Sequence, residues 1–228
     1  DLVEHGRQLN PFFRRDIIIP EDIIKIVDGN LYEFSPEVKK LVGFKLAEIK
    51  NIDEVFYTAL VISLKTFQWN IIPDLALVDV DDDEGSDVKI PRDLIRQLAV
   101  RNLSSIKFDG NSLKQMDSEN ITALIFHEII YAIMPVEYFK VKVDNEERWI
   151  THQSSSRSRQ LNAYLFSEAL NNRGVKGLKS VTPELFPVAD YAETRIVEDL
   201  QGFSFNSFLR VEENNKQAFY GSTDAHQF

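Results

Sequence analysis

The stretch from Asp117 to Pro135 constrains this chain more than any other part of it. Asp117 is a good helix N-cap and Pro135 blocks continuation, so residues 117–134 are predicted to form one helix. Ile121, Leu124, Ile125, Phe126, Ile129, Ile130 and Ile133 are apolar on more than one face, which places the helix inside a core. Three polar side chains interrupt it. His127 and Tyr131 stand one turn apart on one face, and Glu128 lies about 100° round. A buried polar group without a partner costs about 1–3 kcal/mol. The cluster therefore predicts a polar pocket, a bound ion or a buried network.

A helix covered on several sides needs a large core around it. The chain has 228 residues, 43% of them hydrophobic, and 16 Phe. That is enough for one large domain or two small ones, and it excludes wholesale disorder. Ser35-Pro36-Glu37 reads as a cap, a first-turn proline and an acid, predicting a helix over 36–50. Asp53-Glu54 and the apolar spacing that follows predict a second helix over 52–64. Trp69 to Val80 reads as strand, residues 91–99 as a short helix, and the alternation of Ser105–Asp109 as an edge strand ended by Gly110-Asn111. Residues 138–151 predict a hairpin turning at Asp144-Asn145. A helix over 156–171 follows Ser154-Ser155-Ser156, with Gly174 and Gly177 beyond its end. Nearer the start, Ile17-Ile18-Ile19 and Ile23 to Val27, parted by Pro20 and ended by Asp28-Gly29-Asn30, read as strands or a strand and a turn. Ala189 to Leu200 reads as helix, and the segments flanking residues 212–216 as a terminal hairpin. The expected fold is α+β in a single domain over 1–228. It comprises an N-terminal arm (1–30), a central unit (94–171) built on a strand and the buried helix, and a C-terminal hairpin (200–221).

Charge and composition then exclude whole classes of function. A net charge of -10 and a pI near 5.0 argue against nucleic acid and anionic membranes as partners, since both need a basic surface. No cysteine is present, so disulfides, thiolate catalysis and Cys-ligated zinc are out. No apolar run approaches the roughly 20 residues of a membrane span. Asp79 to Asp87 is strongly acidic, but Gly85 and Ile90 fall at the wrong places for a calcium-binding loop, so it reads as a solvated loop. His5 and His226 read as solvated ends, and the serines at 154–158 as helix capping. Asp1 opens the chain without an initiator methionine, which fits a removed signal peptide or a trimmed chain.

His127-Glu128-Ile129-Ile130-Tyr131 is half of the HExxH motif, in which two His one turn apart bind zinc and the Glu activates a water. With the strand at 105–109 and the approach through Met116-Asp117-Ser118, it resembles the edge-strand and active-helix unit of the zincin metallopeptidases over about 30 residues. The resemblance implies zinc, Glu128 as general base, and ligands His127 and Tyr131. It supplies His152, or Glu168 on the next helix, roughly where gluzincins place a third ligand. Tyr131 departs from the motif: a phenol with a free pKa of about 10 binds zinc more weakly than imidazole, and zinc needs three protein ligands.

The competing reading is a buried polar network in which Arg157 or Arg159, on the helix that follows, pairs with Glu128 beside His127 and Tyr131. Leu124 to Glu128 with Tyr131, then Arg159 and Asn162-Ala163-Tyr164-Leu165-Phe166-Ser167, is similar to a group of uncharacterised exported proteins of predatory bacteria, over about residues 94–168. That resemblance implies a periplasmic or secreted location. The expected function is a non-catalytic structural or binding role on a degenerate zincin-like scaffold, with a protein or small ligand as partner and no bound cofactor. The alternative is a metal-dependent hydrolase or peptidase with an atypical zinc ligand set.

Overall fold

The computed structural model describes residues 3–4, 7–8, 11–75, 98–102, 104–143, 146–153, 155–181, 210–213 and 216–220. In chain order the elements are β1 (Val3–Glu4), β2 (Arg7–Gln8), α1 (Glu21–Asn30), α2 (Pro36–Ile52), α3 (Glu54–Thr66), β3 (Gln68–Ile72), β4 (Ala99–Arg101) and β5 (Ser105–Asp109). There follow α4 (Gly110–Leu113), α5 (Ser118–Ile133), β6 (Pro135–Val143), β7 (Glu146–Gln153), α6 (Ser155–Leu165), α7 (Ala169–Val181), β8 (Arg210–Glu213) and β9 (Lys216–Tyr220). The class is α+β. The acidic loop at 79–87, the expected helices at 91–97 and 189–200, residues 203–209, His5 and His226 lie outside the described residues.

α5 is the axis of the molecule. Asp117 caps it, accepting from Asn120 N at 2.7 Å, and the chain turns extended at Met134 before Pro135 opens β6. α2, α3 and α6 pack around it. Two polar side chains tie its backbone to those neighbours. Ser63 Oγ of α3 donates to Ile129 O at 3.1 Å, and Asn162 Nδ2 of α6 donates to Ala123 O at 3.0 Å. Phe126 meets Phe166 edge to face at 5.3 Å, and Phe166 meets Phe13 in the same way. Beside this bundle lies the sheet β3-β5-β4, with β3 parallel and β4 antiparallel to β5. Trp69 and Phe108 stack across β3 and β5 with centroids 6.0 Å apart. A second, antiparallel sheet runs β7-β6-β9-β8. Its hairpins pair Val143 with Glu146 and Glu213 with Lys216; the expected turn at Asp144-Asn145 lies outside the described residues.

Several expectations need correcting. Residues 21–30 are helix, not strand: Ile23 and Val27 are buried one turn apart with Ile26 beside them, and this periodicity overrides the β-branched composition. β5 is the middle strand of its sheet, not an edge; among the described residues β3 and β4 flank it, and β4 takes Ala99 as strand instead of helix. The helix expected over 156–171 ends at Leu165, and a second begins at Ala169. Ser167 makes the break, its hydroxyl donating to Tyr164 O and accepting from Ala169 N. Gly174 and Gly177 lie inside α7, where Gly174, at φ 50°, kinks it.

Ahead of α1, residues 11–16 cross the bundle as a strap. Phe12 N donates to Phe166 O at 2.9 Å. Beneath it α2 buries a charged pair, Lys45 and Glu48, with side chains 0% and 2% exposed. Lys45 Nζ donates to Glu48 Oε2 at 2.6 Å, to Phe12 O at 2.9 Å and to Leu165 O at 2.8 Å. The rings of Phe13 and Phe166 face the ammonium at 5.4 and 5.0 Å.

Candidate functional site

The second half of α5 carries the polar cluster. His127 and Tyr131 are half-buried, and their rings lie parallel, 6.3 Å apart, as the one-turn spacing requires. Glu128, about 100° round the helix from His127, is 9% exposed. The fourth member comes from β4. Arg101 pairs in register with buried Ile106 of β5, which brings its guanidinium over the Tyr131 ring at 4.6 Å, with the Phe67 ring at 6.0 Å. A cation between aromatic faces is favourable, more so out of water.

Burial dominates the electrostatics. It pushes the Glu128 carboxyl up to about 7, against the opposing pull of Arg101. Burial also lowers the Arg101 pKa, while Glu128 and Tyr131 raise it. Glu128 and Arg101 therefore act on each other across the junction of α5 and the sheet. The arrangement offers a carboxyl able to exchange a proton near neutrality, a cation held on a ring, and a half-exposed imidazole.

The other expected site residues lie on three further segments. Arg157 is exposed and Arg159 half-buried, both on α6. Glu168 is exposed between α6 and α7. It lines a cleft of about 360 Å³ with Phe12 to Asp16, Asn171 and Asn172. His152 sits on β7 opposite Glu137, its side chain outside the described set. Among the described residues, no group of three or more His, Cys, Asp or Glu is placed to hold a metal ion. The donors that are described do not fit the zinc implied by the zincin resemblance. They are one imidazole, one phenol whose ring lies under a guanidinium, and one carboxyl that favours its proton, with a cation beside them that repels another.

Arg101 is the residue that the sequence reading missed. Its signal is the turn before β5: Asn102 Oδ1 accepts from Ser105 N at 3.0 Å and from Ser105 Oγ at 2.7 Å, folding β4 back on β5. An Asn-x-x-Ser turn between two short alternating runs predicts that hairpin. No protein-family model matches the chain, and neither a curated protein nor a solved structure matches it.

Proposed function

We propose that this protein has a non-catalytic structural or binding role, in which Glu128, Tyr131 and Arg101, with His127 stacked beside them, form a charge-compensated clasp between the central helix and the edge of the sheet. The observation that carries this reading is Arg101, packed on the Tyr131 ring and acting on Glu128. A fixed guanidinium beside the carboxyl disfavours a second cation. His127 and Tyr131, half-exposed, are the parts of the clasp that a protein or small-ligand partner can touch. A degenerate zincin-like scaffold and a periplasmic or secreted location belong to the same proposal; they rest on the HEIIY helix and on the resemblance over residues 94–168.

One observation favours the hydrolase instead: a carboxyl poised near 7 has the proton affinity that a general base needs at neutral pH. Metal analysis of the purified protein, with a peptide-hydrolysis assay on the same sample, separates the two. The clasp predicts no stoichiometric metal, no hydrolysis, and a lower melting temperature in Arg101→Met. Stoichiometric zinc that disappears in His127→Ala together with hydrolysis would overturn it. Fractionation of cells making the full-length protein tests the location.

A further inference from the structure

Glu48 leaves one oxygen unanswered. Its Oε2 accepts from Lys45, but Oε1 is buried and has no hydrogen-bond partner among the described residues. Lys45 cannot serve it, because its three ammonium protons already go to Glu48 Oε2, Phe12 O and Leu165 O. An orphaned charged acceptor in a core is costly and calls for a donor. The strap is one segment held at the same ammonium. Phe12 O and Glu48 Oε2 share the same ammonium, so the carboxylate lies two hydrogen bonds from the strap backbone, and the Phe13 ring faces that ammonium too.

Arg14 is the next residue. Its guanidinium engages Asp16 on the strap itself, at 2.7 Å, with side chains 42% and 68% exposed. An exposed pair of that kind contributes little. The charge of Glu48 already acts on Arg14. Arg14 lines an open cleft with its strap neighbours Phe12 and Phe13.

We propose that the strap has two positions, and that Arg14 moves between Asp16, where it sits in this structure, and the orphaned oxygen of Glu48 beneath. In the second position a charge-assisted bond to a buried acceptor replaces a solvent-screened one. The strap is then fastened to α2 twice, through Lys45 and through Arg14, and Asp16 is released to water.

Hydrogen exchange of the Phe12 amide, which donates to Phe166 O, reads how often the strap opens. In the intact chain, Arg14→Met is expected to speed that exchange by about tenfold, the loss of one charge-assisted hydrogen bond. Asp16→Ala is expected to leave it unchanged or slow it, because it frees Arg14 for Glu48. In a Glu48→Gln background the effect of Arg14→Met is expected to shrink. If Asp16→Ala speeds exchange as much as Arg14→Met does, the exposed pair is the working one and the proposal fails. If Arg14→Met changes nothing, an ordered water serves Glu48 and the proposal fails equally.

Discussion

Glu128 holds its proton more tightly in the folded protein than in the unfolded chain, because burial disfavours its carboxylate by more than Arg101 favours it. Stability therefore falls as pH rises from the ordinary carboxyl value of 4.5 towards about 7 and stays reduced above that. The full penalty is on the order of 3 kcal/mol. Glu128→Gln cannot ionise and escapes it. Its melting temperature, relative to wild type, is expected to climb by several degrees between about pH 4.5 and pH 8. Only the slope counts, since loss of the Arg101 partner adds a constant offset; a flat difference would show that Glu128 is not perturbed. His127, Glu128 and Tyr131 were legible in the sequence because polar residues on an apolar helix stand out. Arg101 was not, because its place over Tyr131 depends on a strand pairing and a helix docking that no local window contains.

Helix starts were the most readable elements, since a cap acts over three or four residues. Ser35 accepts from Val38 N and Asp117 from Asn120 N, as their spacing suggested, while Asp53, expected inside its helix, caps it and accepts from Phe56 N at 2.8 Å. Asp117→Ala is expected to lower stability by about 1 kcal/mol in urea denaturation, with Asp117→Asn close to wild type. Equal losses in both would shift the credit from the cap to the charge. Helix ends and junctions were less readable. The boundary between α6 and α7 turns on Tyr164, whose hydroxyl reaches Ala169 O at 3.2 Å and Gly174 O at 3.1 Å, and on Gly177, where an added Cβ would collide with that hydroxyl. Gly177→Ala is therefore expected to cost about 1–3 kcal/mol by overpacking, although alanine is the better helix former. In Tyr164→Phe, which removes the colliding oxygen, the cost should shrink; an unchanged cost would place the strain elsewhere. The strand reading of residues 21–30 failed because composition was weighed above period.

For the whole molecule, the α+β class and the central helix followed from the sequence, while the Lys45–Glu48 pair did not. Three residues apart on a helix, Lys and Glu look like an ordinary surface pair, but here they are buried and bonded to the strap and α6. Removing one partner strands the other. Lys45→Met is expected to cost about 3–5 kcal/mol in chemical denaturation, and adding Glu48→Leu to restore most of it. A double variant no better than the single one would mean that the pair's bonds to Phe12 and Leu165 matter more than its charges. The same ammonium also sets an order of events during synthesis. It joins backbone near the start of the chain to Leu165, which leaves the ribosome more than a hundred residues later. The strap is thus made well before the helix that completes its seat. Until α6 arrives, Phe13 and the Lys45 charge lack one side of their pocket, so the nascent protein should be open to proteases and chaperones at the strap.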